Sequence, residues 1–576
     1  MLKKLMLGNE AAARGLYEAG CAFVSSYPGT PSTEITEEAA KYPEIYAEWA
    51  PNEKVAMEAA FGASLAGRRS FCGMKHVGLN VAADPLFTIA YTGVNAGMLI
   101  AVADDPAMHS SQNEQDSRHY AIAAKLPMLE PADGAEALEF VKRGFALSEK
   151  YDTPVLLKLC TRIAHSQSVV ELGERAETPP KPYVKDVMKY VMMPAGARVR
   201  HAAVEKRMAE LAVLAEATDL NRIEDGADHT LGLIADSTSY QYVKEVFGDR
   251  HPVFKVGLVN PLPVQRLREF AAGVERLVVV EELDGIIETH CRAIGLAVAG
   301  KELFSCQGEF SQNLVAEKLG APCPAGQRLS EAIPPRPPVM CSGCPHRGLF
   351  YTLHKLKLTV LGDIGCYTLG ATAPLSAMDT TICMGASVSG LHGFNKASGG
   401  ENAGRTVAVI GDSTFMHSGI TGLVNIAYNE SPSTVIILDN SITGMTGHQQ
   451  NPTTGFNLKG DPCTKIDLET LCRAVGIRRV RVVDPYDLTA CESALREELA
   501  AAEPSVIIAR RPCALLKYVR HPGPIAVNAA RCVGCKSCMR IGCPSISMRE
   551  GKAVIDPTQC VGCGVCMQLC NVGAIG

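Results

Sequence analysis

The sequence predicts an α/β protein: several doubly wound parallel-sheet domains, then a small cysteine-rich α+β domain. Three observations carry that expectation. Short runs of β-branched and aliphatic residues recur and stop at polar residues, the mark of buried parallel strands. The clearest pair, Val407-Ala-Val-Ile-Gly-Asp412 and Val435-Ile-Ile-Leu-Asp-Asn440, is separated by a helical stretch over 418–429, as a βαβ unit requires. Eight of the 22 cysteines fall in the last 45 residues, a spacing that speaks for metal.

At 576 residues the chain has room for three or four domains. A net charge of −5 without any basic block argues against nucleic acid and anionic membrane as partners. The start, Met-Leu-Lys-Lys-Leu-Met-Leu, runs into Gly8-Asn-Glu without a full apolar core or a cleavage site, so it does not read as a signal peptide. No apolar run is long enough for a bilayer. The expectation is a soluble, cytoplasmic chain whose cysteines serve metal or redox chemistry, not disulfides.

Residues 1–170 read as an α/β domain. A helix over 10–18 and a strand at Ala22-Phe-Val-Ser-Ser lead to the loop Tyr27-Pro-Gly-Thr30-Pro31, then to a helix capped by Ser32 or Thr33. The small residues in Asn52-Glu53-Lys-Val-Ala-Met-Glu58-Ala-Ala-Phe-Gly62 suit a helix packed tightly on a sheet. Lys75-His76 and Asp104-Asp105 fall near the ends of later strands. Residues 171–228 are charged and helical in pattern and read as a connector. Residues 229–333 form a second α/β unit, with strand-like runs from Thr230, Phe254 and Leu277. The linker Pro334-Pro-Arg-Pro-Pro338 closes it.

Residues 339–518 hold the strand pair described first. Both strands end at one sheet edge, where an open α/β sheet binds ligand. Gly411 lets the backbone approach closely, and Asp412 and Asn440 offer hard oxygens that suit magnesium on a diphosphate. An ordinary strand end with a turn aspartate has the same appearance. The run from Gly411-Asp412-Ser413 to Asn440 resembles the magnesium–diphosphate motif of thiamine diphosphate enzymes. Ser413 and Asp439 replace the usual Gly and Asn, a departure that the 2-oxoacid:ferredoxin oxidoreductase branch tolerates. The resemblance implies that Asp412, Asn440 and the Ile442 carbonyl hold Mg2+, with Gly411 and Ser413 at the diphosphate.

The Tyr-Pro-x-Thr-Pro loop is similar to that of the pyrimidine-binding domain in the same family. There a carboxylate nine residues before a helix glycine meets N1′ of the pyrimidine. Glu53 stands nine before Gly62, which implies that role for Glu53, with Glu58 the rival. Alone, either Glu reads as a solvated helix face. The resemblance places the Thr30 hydroxyl near the reacting carbon. His76 and His346 are further catalytic candidates, although His346 equally suits a helix cap. Gly29 leaves room for an aryl group or simply serves the turn. Residues 229–333 resemble the C-terminal domain of transketolase-type enzymes and carry no assigned chemistry.

Two cysteine sets remain. Cys341-Ser-Gly-Cys344, Gly362-Asp-Ile-Gly-Cys366 and Cys513 resemble the site of a [4Fe–4S] cluster near the thiazolium in this family, a third cluster here. A tight turn with buried free cysteines is the alternative. In 522–576, Cys532-x2-Cys535-x2-Cys538-x4-Cys543 precedes Cys560-x2-Cys563-x2-Cys566-x3-Cys570. This is the bacterial two-cluster ferredoxin pattern, in which the fourth Cys of each run serves the other cluster. One [4Fe–4S] cluster then takes Cys532, Cys535, Cys538 and Cys570, and the other takes Cys560, Cys563, Cys566 and Cys543. Two zinc sites are the alternative.

Over nearly its whole length the chain resembles the large (alpha) subunit of the arylpyruvate branch of the family. That implies thiamine diphosphate with Mg2+, and indolepyruvate or phenylpyruvate oxidised with coenzyme A to an aryl-acetyl-CoA. It also implies an external ferredoxin as electron acceptor and a small beta subunit in an alpha2beta2 assembly. Other readings are another 2-oxoacid:ferredoxin oxidoreductase, a non-oxidative arylpyruvate decarboxylase, and a non-enzymatic iron–sulfur carrier.

Overall fold

The computed structural model describes residues 2–323 and 330–576. The chain divides into two compact units, Met1–Leu329 and Ser330–Gly576.

The first unit contains a seven-stranded sheet. Its order is Leu258–Asn260, Met128–Leu129, Val155–Cys160, Met98–Asp104, Ser70–Lys75, Phe23–Ser26 and Tyr46–Trp49. All neighbours are parallel except the first pair. Every residue of Met98–Asp104 and Val155–Cys160 is buried, which is why these strands read as continuous apolar runs. The helix Gly134–Tyr151 begins at Asp133, whose side chain accepts from the Glu136 amide. Ser32 precedes the helix Thr33–Ala39, but its hydroxyl donates to the Gly29 carbonyl at 2.9 Å and makes no cap.

A second sheet in this unit runs Leu277–Val280, Gly232–Asp236, Val253–Val256, Arg222–Glu224. The first three are parallel and the last is antiparallel. The stretch read as a helical connector does carry the helices Val187–Tyr190 and Pro194–Ala217, but it also supplies the strand Arg222–Glu224. Leu258–Asn260 leaves the second sheet's sequence neighbourhood and adds an antiparallel edge to the first sheet. Ile100 and Val102 share one core with Ile234 and Phe254. Arg118, 1% exposed, donates to Asp116, Asp236 and Glu281 at 2.6–3.0 Å and to the carbonyls of Glu282 and Asp284 at 2.9 Å. It thereby ties the loop after one sheet to the strand ends of the other.

The second unit is built on a parallel five-stranded sheet: Thr359–Leu361, Thr406–Gly411, Thr434–Asp439, Ser505–Arg510, Arg479–Val483. The helical stretch expected over 418–429 starts as a π turn, Phe415–Gly419, and continues as the α-helix Ile420–Tyr428. Such a turn accommodates an irregular backbone at a functional strand end. The tail forms a hairpin, Ile546–Arg549 against Lys552–Ile555, and shares one core with the sheet: Ile541, Ile546 and Val565 pack with Leu349, Val409 and Leu495. Among the described residues, no helix is long and apolar enough to cross a membrane.

Candidate active site

In the first unit, the ends of three parallel strands and one helix bring the expected residues together. Asn52 caps the helix Glu53–Leu65 by accepting from the Val55 amide at 2.9 Å, which sets Glu53 in the first turn. Glu53 is 4% exposed, and a Cβ on Gly78 would lie 2.6 Å from its Oε1. Glu58 is exposed and pairs with Lys54, so it is the solvated one of the two. Gly62 is not required by packing: a Cβ there meets nothing within 4 Å. Lys75 ends its strand against the Thr30 loop; a Cβ on Gly29 would sit 3.2 Å from Lys75 Cγ. The space expected beside Gly29 is therefore filled by the lysine stem. Burial pulls the Lys75 pKa down, opposed by Asp105 and Glu53. His76 is buried, with Nε2 at 3.1 Å from the Asn113 carbonyl. Burial and then Lys75 hold its pKa below the usual value. Its Nδ1 is buried without a hydrogen-bond partner among the described residues, a polar atom left for a bound molecule.

In the second unit, Asp412 follows the buried strand Thr406–Gly411, and Asn440 follows Thr434–Asp439. Burial, and then the Asp439 carboxylate, push the Asp412 carboxyl up to about 7. Asp412 Oδ2 lies 3.0 Å from the Thr453 hydroxyl, while Asp439 turns to Arg510 at 2.8 Å. The Asn440 side-chain oxygen accepts from the Ile442 amide at 3.3 Å. Ser413 receives the Thr443 hydroxyl at 2.9 Å. A buried carboxylate pushed towards neutrality, among amide and hydroxyl oxygens, fits a hard cation that restores its charge. At Gly411 a Cβ would stand 2.8 Å from Tyr367 Cε1. His346 opens the helix His346–Lys355 without capping it. Its buried ring meets Tyr367 edge-on, 5.9 Å between centroids, and burial lowers its pKa to about 4.

The same strand ends carry thiols. The Cys513 amide donates to the Asn440 carbonyl at 2.9 Å. Burial pushes the Cys344 thiol up to about 12, and Cys341 and Cys366 add to the rise. Burial raises Cys366 as well, helped by Cys513 and Cys341. Cys341 thus acts on each of the other three thiols, Cys344, Cys366 and Cys513. In the tail, Cys532, Cys535, Cys538 and Cys570 line a single cavity. Burial raises Cys566, with Cys563, Cys543 and Cys560 contributing next.

Sequence reasoning missed Asn451, Thr453 and Asp363. Asn451 and Thr453 stand in an irregular loop and meet Asp412 from the far side. Asp363 is fully buried and accepts from the amides of Gly385 and Ser387 at 3.0 Å, organising the start of the helix Ala386–Ala397. Its one sequence signal was its place, directly after the strand Thr359–Leu361 and its glycine.

Two parallel-sheet cofactor folds and a cysteine-rich tail on one chain define a thiamine diphosphate-dependent oxidoreductase of 2-oxoacids with iron–sulfur centres. Residues 14–212 match the model of the pyruvate flavodoxin/ferredoxin oxidoreductase thiamine diphosphate-binding domain. Residues 363–509 match the C-terminal TPP-binding domain of thiamine pyrophosphate enzymes, and 524–571 a 4Fe-4S dicluster domain. The chain is 40% identical to indolepyruvate oxidoreductase subunit IorA of Methanothermobacter thermautotrophicus, over 100% of this chain and 97% of that one. It is likewise 40% identical to IorA of Archaeoglobus fulgidus, with the same coverage. The 2-oxoglutarate synthase subunit KorA of M. thermautotrophicus is 28% identical over 30% of this chain and 48% of its own. The chain belongs to the indolepyruvate oxidoreductase subunit IorA family.

Proposed function

We propose that the protein is the large subunit of an enzyme that oxidises aryl pyruvates, indolepyruvate and phenylpyruvate among them. One 2-oxoacid, one coenzyme A and two oxidised ferredoxins become one aryl-acetyl-CoA, one carbon dioxide, two reduced ferredoxins and one proton. The aryl preference rests on the name of the relatives. The oxidative outcome is supported by one observation: the Cys513 amide is bonded to the Asn440 carbonyl, which puts the backbone of one proposed cluster ligand next to a proposed metal ligand. Electrons released at the cofactor then have an acceptor next to it, where a plain decarboxylase needs none.

Thiamine diphosphate, when bound, supplies the nucleophilic carbon and the electron sink for loss of carbon dioxide. Asp412, Asn440 and the Ile442 carbonyl hold Mg2+ on the diphosphate, with Gly411 and Ser413 in the surrounding turn. Glu53 accepts the pyrimidine N1′ contact and holds the proton there. Thr30 and His76 on the first unit, and His346 on the second as a neutral ring, are the further catalytic candidates. The quartet Cys341, Cys344, Cys366 and Cys513 holds one [4Fe–4S] cluster. The tail holds two, on Cys532, Cys535, Cys538 and Cys570 and on Cys543, Cys560, Cys563 and Cys566. The interlocked spacing of the two tail runs favours cubanes over zinc. Residues 1–170 form the pyrimidine domain, 229–333 the transketolase-C-like domain, 339–518 the diphosphate domain and 522–576 the ferredoxin domain. A small beta subunit completes an alpha2beta2 assembly.

The test is the anaerobically purified complex with its partner subunit, given a panel of 2-oxoacids. Ferredoxin reduction that needs both coenzyme A and an aryl pyruvate is the expected result. Aryl-acetaldehyde without ferredoxin reduction would mark a non-oxidative decarboxylase, and absence of stoichiometric thiamine diphosphate an electron carrier.

A further inference from the structure

Arg347 lies three residues after the Cys341–Cys344 loop and is 4% exposed. Its guanidinium donates to four carbonyls. Two belong to the loop: Cys341, at 3.1 Å, and Met340. Two belong to the turn just before Cys543: Ile541 at 3.2 Å and Gly542 at 2.5 Å. A Cβ on Gly542, which has φ +66°, would press on the Pro374 ring at 2.8 Å and only touch Arg347 Nη1 at 3.4 Å. The loop and the turn meet again where Ser342 and Ser545 hydroxyls stand 2.7 Å apart, and where Tyr486 donates to the Gly343 carbonyl.

Arg347 differs from Arg118, the most deeply buried arginine among the described residues. Arg118 is surrounded by carboxylates. Among the described residues, no carboxylate pairs with Arg347. Burial disfavours its charge, and the thiols of Cys344, Cys543, Cys341 and Cys563 favour it. These come from two different cysteine sets, the quartet and one tail set. None comes from the set of Cys532, Cys535, Cys538 and Cys570. A buried cation without a counter-ion is costly, and loaded thiolate clusters carry the negative charge that compensates it.

We propose that Arg347 is the shared counter-charge of two neighbouring iron–sulfur sites, the Cys341 quartet and the Cys543, Cys560, Cys563 and Cys566 set. It is a positioning residue that holds both reduction potentials up and fixes the distance across which electrons pass. The proposal rests on the three-cluster reading above. A fixed positive charge favours the reduced, more negative form of a cluster beside it, and hydrogen bonding and local charge are established levers on such potentials. Each transfer takes one electron out of one site and into the other. No bond forms or breaks, and Arg347 keeps its charge and proton throughout. The Cys535 set, none of whose carbonyls bonds Arg347, serves as an internal reference.

The experiment is a redox titration of the complete holoenzyme, followed by electron paramagnetic resonance, for wild type, Arg347→Gln and Arg347→Lys. Signals are assigned by substituting Cys341, Cys535 and Cys560 singly. In Arg347→Gln, two clusters are expected to fall in potential by about 59 mV each, a tenfold change in the reduced-to-oxidised ratio at fixed poise. The Cys535 cluster stays put, and Arg347→Lys, which keeps the charge, stays near wild type. Unchanged potentials with full iron in Arg347→Gln would overturn the proposal, as would an equal shift of all three clusters. If Arg347→Gln fails to load iron, Arg347→Lys decides: full iron and unshifted potentials support the proposal, and an equal loss of iron overturns it. If Cys341→Ser changes neither iron content nor signals, the quartet reading fails by itself, and Arg347 is judged on the Cys560 cluster alone.

Discussion

Glu53 and Gly78 share one space: the carboxylate oxygen stands 2.6 Å from the point a Cβ on Gly78 would occupy. A methyl group at position 78 therefore displaces the carboxylate. Gly78→Ala is expected to lose turnover as Glu53→Gln does, by about 10²–10⁴-fold, the usual worth of one positioned proton-transfer group. Both variants should retain thiamine diphosphate, measured by thiamine content after gel filtration. Glu58→Gln, on the solvated face, should turn over at the wild-type rate. Near-normal turnover in Glu53→Gln would remove Glu53 from the site.

Asp412 makes cofactor binding pH-dependent. Its folded pKa of about 7 lies above the ordinary carboxylate value. Below that pH the cofactor-free protein holds a proton that the cation must expel. Affinity for Mg2+ and thiamine diphosphate should rise about tenfold per pH unit up to about 7 and then level off. The folded value exceeds the unfolded one, so the cofactor-free chain loses stability as pH rises from about 4 to about 7. Calorimetric titration across this range reads the first effect, and thermal unfolding the second. In Asp412→Asn both pH dependences should vanish, with binding weak throughout.

Cys535 is exposed at the rim of the cavity it shares with Cys532, Cys538 and Cys570. Cys535→Ala should lose iron from that set alone and slow ferredoxin reduction. Thiamine diphosphate content and carbon dioxide release with an artificial acceptor should persist. A colourless, zinc-loaded wild-type preparation would overturn the cluster assignment.

Gly29→Ile is expected to reduce kcat/KM for indolepyruvate and for pyruvate by the same factor. The added side chain meets the stem of Lys75, which then moves for either substrate. Loss confined to indolepyruvate would mean that Gly29 borders the aryl pocket, since specificity is a ratio between substrates.

Arg118→Met should destabilise the first unit by about 3–5 kcal/mol, because it strands Asp116, Asp236 and Glu281 in the interior. Denaturant unfolding of the full chain, followed by a probe in that unit, measures it.

Much of the site was legible because its residues stand at the ends of long apolar strands. Asp412 and Asn440 each follow six residues that are buried throughout. The tail was legible because cluster ligands are fixed by spacing. The choice between Glu53 and Glu58 needed the structure: five residues apart is about 140° around a helix, so one faces in and the other out. Asn451 and Thr453 were invisible since their loop has neither period. Arg222–Glu224 and Leu258–Asn260 are three residues each, too short for alternation to register. What lies beside Gly411 and Gly29 was hidden for a different reason. A glycine announces that something lies close, but not what: at Gly411 it is a tyrosine ring, and at Gly29 a lysine stem.

The strand Leu258–Asn260 has a practical consequence for dissecting the protein. It pairs with Met128–Leu129 although more than a hundred residues separate them. A fragment ending at residue 228 would take away the outermost strand of the first sheet and bare the backbone of the next. The second sheet's fragment, starting at 229, would likewise lose the partner strand Arg222–Glu224. Each piece would carry a raw, unpaired edge, the surface on which sheets recruit other chains. Expression of the first unit in halves should therefore yield aggregates, and a cut near residue 330, where the two compact units divide, is the one that leaves both sheets whole.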